Sequence, residues 1–248
     1  MSTLGIGIEG QGNVPFRVGD ALSGAFGVIG RHLVPFLLVS AIASFPNFFI
    51  YREMALHRGE STLYYVFLET TSEHLFGALC QAILLYATFQ DLRGRNVSMS
   101  ESVARGLARF VPVVTTSILT VIAIVIGMML LFVPGIIAST MLAVALPACV
   151  VERIGPFASL SRSKDLTDGY KGAIFGAFFG VGIVNTVVGA VIGALYAGAE
   201  SWLTFALLLF IWITLFTCYM SVVAAFLYHG LRVTKEGIDI DQIAAVFD

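Results

Sequence analysis

The densest set of ionisable side chains lies at residues 152–172, ERIGPFASLSRSKDLTDGYKG. Glu152, Arg153, Arg162, Lys164, Asp165, Asp168 and Lys171 put both signs of charge into a chain that is only 12% charged. Such a set can move protons, hold an anionic headgroup, or simply pair with itself. A second set, Glu53, His57, Glu60, Glu69, Glu73 and His74, falls at 51–74. Imidazoles and carboxylates can bind a divalent cation. Two spaced histidines with scattered acids are equally a solvated outer loop, and that is the simpler reading. No nucleophile–base–acid set assembles, and no G-x-S-x-G, H-E-x-x-H or P-loop pattern occurs. The expectation is a non-enzymatic chain with no catalytic, cofactor-binding or metal-binding residues.

The elements that position these groups are set by composition. Of 248 residues 58% are hydrophobic, and mean hydropathy is +0.91. Globular chains are about 45–50% apolar and about 25% charged, so lipid must solvate much of this one. The fold class predicted is all-α, a polytopic integral membrane protein. Cys80, Cys149 and Cys218 lie singly in apolar runs and read as packing residues. GIGIEG (Gly5–Gly10) matches a dinucleotide-binding pattern but lacks the preceding strand and following helix, so residues 1–16 read as a flexible N-terminus. Nothing in the sequence suggests nucleic acid as a partner.

Six spans emerge at a requirement of roughly 20 apolar residues each: 33–50, 75–90, 110–133, 136–151, 173–197 and 202–228. The run 110–151 has no charge. As one helix it would be about 63 Å long, roughly twice the bilayer core, so it must turn. Pro134-Gly135 is the expected turn, with a re-entrant half-helix as the alternative for the short fourth span. Twelve lysines and arginines then fall on one side and two, Arg52 and Arg58, on the other. That asymmetry predicts cytoplasmic N- and C-termini. The six-helix domain covers 17–228, and 229–248 read as a cytoplasmic tail whose end, IDIDQIAAVFD, could dock as a helix capped by Asp239 or Asp241.

Before the first span, Val18, Leu22, Ala25, Phe26 and Ile29 share a helical face. Before the third, Met99, Val103, Leu107 and Phe110 share one, opposite Glu101, Arg105 and Arg109. Ser98 and Glu101 suit a capping box, and Glu101–Arg105 a helical ion pair. Both segments read as interfacial helices. With 152–172 in the equivalent place before the fifth span, the chain reads as three repeats of surface helix plus transmembrane hairpin. Pro156 suits that helix's first turn and Gly169 its end.

The spans themselves read as free of ionisable groups, with Asn47, Gln81 and Asn185 as polar exceptions suited to interhelical hydrogen bonds. Gly172, Gly176, Gly180, Gly189 and Gly193 place small residues along the fifth span. They suit helix packing inside the bundle, or a face for a partner protein or another copy. Arg105, Arg109, Arg162 and Lys164 are candidate contacts for a partner or for anionic membrane lipids. Their position is equally the ordinary positive-inside bias.

Pro134-Gly135, Glu152, Ser159-Leu160, Arg162-Ser163, Leu166-Thr167 and Gly169, with the start FRVGDALSGAFGVIGRHLVPFLLVSAI, resemble the membrane domain associated with bacterial glycerophosphodiester phosphodiesterases and its stand-alone inner-membrane relatives. The resemblance implies a multi-pass protein of the bacterial inner membrane with a supporting role in the envelope. These 248 residues hold no phosphodiesterase barrel, so it transfers no catalytic residue. The function expected is a scaffold or accessory subunit, in a membrane protein complex or self-associated; the alternative is lipid or small-molecule transport or handling.

Overall fold

The computed structural model describes residues 17–57, 62–197 and 201–237. The pattern match at Gly5–Gly10, Arg58, Glu60 and the tail aspartates lie outside them. The chain is all-α, with six helices long and apolar enough to cross a membrane. Element order repeats three times: a short helix, then a spanning pair. α1 (Val18–Arg31) precedes α2 (Leu33–Leu56) and the paired segments α3 (Thr62–Ser72) and α4 (Ala78–Leu92), joined by a π-helical turn at Glu73–Gly77. α5 (Met99–Ala108) precedes α6 (Phe110–Leu130) and the broken α7 (Phe132–Met141) and α8 (Ala145–Val151). α9 (Pro156–Thr167) precedes α10 (Lys171–Ala197) and α11 (Trp202–Glu236).

Side-chain contacts gather the starts of α2, α6 and α10 and the ends of α4, α8 and α11 at one end of the bundle. Arg31 and His32 bond Asp91 at 2.5 and 2.7 Å, and Arg109 donates to the Cys149 carbonyl at 3.1 Å. This is the end that carries the twelve basic residues.

The short helices lie against the bundle by their smallest side chains. Ala21 and Ala25 in α1, Ser102 and Gly106 in α5, and Ser159 and Ser163 in α9 are all buried. Each pair occupies the fourth and eighth positions of its helix, one above the other on a single face. The predicted faces of α1 and α5 are therefore rotated. Phe26 is 66% exposed and Leu107 52%; in a lipid solvent the large apolar groups face outward and the small ones admit close backbone contact. A Cβ on Gly106 would lie 2.5 Å from the Ile83 side chain. α5 starts at Ser98, whose hydroxyl accepts from the Glu101 N–H. The reciprocal half of the expected capping box is taken by Gln90, which accepts from the Ser98 N–H at 2.7 Å and donates to Glu101 at 3.1 Å. The Glu101–Arg105 pair forms at 2.7 Å.

The third and fourth spans turn at Leu131, in extended conformation, and not at Pro134-Gly135. Pro134 sits in the first turn of α7, where a missing N–H leaves no helical bond unmade. Gly135 serves the contact between the two arms: a Cβ there would stand 2.4 Å from Met128, and one on Gly127 2.9 Å from Gly135. The fourth span returns to the basic end, so it crosses fully. It breaks at 142–144, and α9 repairs the break: Ser163 donates to the Met141 carbonyl at 2.7 Å and accepts from the Val144 N–H at 3.2 Å.

Three further boundaries differ from expectation. The first span runs to Leu56, the second from Leu63 to Leu92, and the sixth helix continues to Glu236, past the expected tail boundary at 229.

Candidate functional site

The charges of 152–172 form a closed ring rather than an open site. The chain reverses after α8 through Glu152 and Arg153, the latter at φ +54°, a region few side chains adopt. Gly155 then caps α9, and Pro156 opens it. Gly169 ends the stretch at φ +82°. Arg162 Nε donates to both Glu152 oxygens at 2.7 and 3.0 Å, and its Nη2 donates to Glu236. Arg232 Nε donates to Glu236 at 2.9 Å, and its Nη1 to the Tyr228 oxygen at 3.3 Å. Tyr228 completes the circuit by donating to Glu152 at 2.8 Å. Two carboxylates, two guanidiniums and a phenol thus join the α8–α9 turn to the end of α11. Burial opposes the charge on Arg162, but hydrogen bonds to Glu152 and Glu236 outweigh it and hold the guanidinium above its usual range. Lys164 is exposed. Lys171 pairs with Asp168 at 2.8 Å, which lowers the exposed Asp168 carboxyl below its usual range.

The helix of the second span is longer than expected and takes in the acidic stretch before it. Glu69, Glu73 and His74 belong to the helical stretch Leu63–Leu92, not to an outer loop. Glu73 is ten residues, about 15 Å, from Leu63; Ser117, which contacts His74, is seven residues, about 10 Å, from Phe110 at the basic end. Along their own helix Glu73 and His74 lie about 27–29 Å from Leu92 at the basic end, close to the full thickness of a hydrocarbon core of about 30 Å. The π turn Glu73–Gly77 widens the helix here and shifts the register of the side chains that follow, an irregularity concentrated at functional sites.

Glu73, His74, Gly77 and Gln81 line a cavity of about 250 Å³ with Ser117 of α6, Leu146 of α8, Phe178 of α10, and Ile213, Phe216, Thr217 and Met220 of α11. Glu69, one turn from Glu73, accepts from the Tyr51 hydroxyl at 2.7 Å. His74 Nδ1 lies 3.5 Å from the Ser117 hydroxyl. Glu73 makes no hydrogen bond or ion pair with any described residue. Among the described residues, no three of His, Cys, Asp and Glu come together as a metal site. Of the predicted polar exceptions, Asn185 accepts from Trp212 Nε1 at 2.9 Å, Gln81 lines the cavity, and the buried Asn47 Oδ1 has no partner among the described residues.

The five glycines of α10 do not pack inside the bundle as expected. A Cβ on Gly172, Gly176, Gly180, Gly189 or Gly193 would meet nothing within 4 Å. α10 is the least buried span, with 6% of its central window inside the protein. Gly176 and Gly180 instead line an apolar cleft of about 630 Å³ with Leu22, Phe26 and Tyr219. Comparison with family models, curated proteins and solved structures finds no match to this chain.

Proposed function

We propose that this chain is a non-enzymatic, multi-pass membrane protein that takes a small molecule into the cavity beside its second span, for transport or handling. One observation carries this reading: Glu73 and His74 line a 250 Å³ cavity between the helix of the second span and the helices that face it. An ionisable group in the hydrocarbon region costs about 2.5–3.5 kcal/mol or more, and such groups mark solute and proton paths. Twelve basic residues at one end support cytoplasmic termini, and the resemblance of 132–169 supports a bacterial inner membrane. The test is aqueous access. With Cys80, Cys149 and Cys218 replaced, Thr217→Cys and Gln81→Cys should react with a membrane-impermeant thiol reagent from at least one side of sealed vesicles. Protection of both from both sides removes the reading.

The bare glycine face of α10 favours a second reading, a scaffold or accessory subunit held to a partner or another copy. Mild extraction from native membranes, followed by identification of co-purifying proteins and lipids, tests it. Recovery of the chain alone argues against it.

A further inference from the structure

We infer that the cavity's ligand is a small organic cation, with its ammonium group held at Glu73; this rests on the proposed reading that the cavity admits a solute. Charge comes first. The side chains facing the cavity from α4, α6, α8, α10 and α11 include no lysine or arginine, and the π turn supplies one carboxylate and one imidazole. Glu69 adds a second carboxylate one turn away, already engaged by the neutral hydroxyl of Tyr51. Among the described residues, the His74 ring hydrogen-bonds only the hydroxyl of Ser117. Two acids thus stand against at most one cationic imidazole, in a region where an unpaired charge is costly. What Glu73 lacks is therefore a positive partner or a proton.

Shape then selects among positive partners. A proton needs no volume, yet some 250 Å³ lies beside Glu73, and Gly77 leaves the space for its own Cβ empty. A hard metal ion wants six or more oxygens, whereas Phe178, Ile213, Phe216 and Met220 wall the cavity with carbon and sulfur. An apolar body carrying an ammonium fits both halves. The carboxylate takes the charge, and the aromatic walls take the body and favour a cation near their faces. The volume lies just below the range of about 300–1,000 Å³ typical of drug-sized ligands, so the ligand is small.

The test uses the full chain in detergent at pH 7 and reads the midpoint of thermal unfolding. The probes are phenethylammonium, its neutral analogue phenethyl alcohol, and phenylacetate. Phenethylammonium should raise the midpoint in a saturable way, and the other two should not. Glu73→Gln should weaken its apparent affinity at least tenfold, Glu73→Asp should restore part of it, and Gly77→Leu should abolish it by filling the space while leaving the carboxylate in place. An equal response to the alcohol and the ammonium overturns the cationic class and leaves the cavity reading standing. An unchanged ammonium response in Glu73→Gln overturns the role of Glu73. If Glu73→Gln does not fold, an unchanged response in Gly77→Leu overturns the site itself. No response to any probe, with Thr217→Cys and Gln81→Cys reactive, also overturns the inference. No response with both cysteines protected removes the cavity reading with it.

Discussion

At the basic end, Glu152 is shared between Arg162 and Tyr228, and Glu236 stands between Arg162 and Arg232, so each charge meets its opposite. On the helix of the second span, Glu73 faces a cavity and meets no opposite charge among the described residues. The basic-end cluster is the more conspicuous in the sequence, and it is a fastening. The group at Glu73 and His74 reads as loop in the sequence, and it lines a cavity. Density of charge is therefore a poor guide to a site; incomplete pairing at a place where pairing is needed is a better one, because an unsatisfied buried charge persists only against a cost.

That contrast predicts opposite signs for the same substitution. Glu152→Gln removes the carboxylate charge that Arg162 and Tyr228 share and leaves the partly buried Arg162 with Glu236 as its ion-pair partner, a loss of about 1–3 kcal/mol. The thermal midpoint in detergent should fall, and proteolysis should begin at the α8–α9 turn. Glu73→Gln removes an unpaired charge from the cavity wall without changing its shape. Its thermal midpoint in ligand-free detergent should hold or rise, by about 1 kcal/mol of added stability. A matching fall in both variants would erase the distinction between fastening and site.

Between these lies the repair of the fourth span. Ser163→Ala leaves the Met141 carbonyl without its 2.7 Å donor and the Val144 N–H without its acceptor, although Thr167 still reaches Met141 at 3.3 Å. The expected loss is about 1–2 kcal/mol, with amide exchange rising at 141–145 before elsewhere. Exchange rising first in α9 instead would mean the serine, not the ring, holds α9 down.

How much of this was legible in the sequence follows from what each signal measures. Spans one, five and six are long uninterrupted apolar runs, and the all-α, six-span reading needed nothing else. The second span has a mean hydropathy of 1.3 against 2.0–2.5 for the others. The apolar stretch that gives this value begins at Leu75, and Glu69, Glu73 and His74 precede it, so the first half of their helix reads as loop. The register of the short helices was present in the sequence as small residues at 21 and 25, 102 and 106, 159 and 163. A soluble-protein expectation that large apolar residues point inward hid it. The ring was half visible: Arg162 stood out, but Tyr228 and Glu236, 66 and 74 residues away, fell where the sixth helix seemed to end. The turn at Leu131 was missed because Pro and Gly signal breaks, whereas here proline starts a helix and glycine serves a close contact.

The smallest effect separates openness from unpaired charge. The cleft beside α10 is larger than the Glu73 cavity and just as unfilled, but its lining is almost wholly apolar. Gly176→Ala adds a methyl group where nothing lies within 4 Å and replaces a poor helix former with the best one. In detergent this should stabilise the chain by up to about 1 kcal/mol and leave phenethylammonium binding unchanged. Gly135→Ala is its counterpart, since there the methyl would sit 2.4 Å from Met128 and overpacking should cost about 1–3 kcal/mol. In native membranes the outcome at Gly176 divides further. If lipid alone covers the face, the added methyl is tolerated, because acyl chains adjust around it at little cost. If another helix seats against the glycines, the methyl forces the backbones apart, and co-purification of that partner should fall while the isolated chain stays more stable than the parent. A variant more stable alone and less associated in the membrane would assign the open face of α10 to assembly and leave ligand chemistry to Glu73.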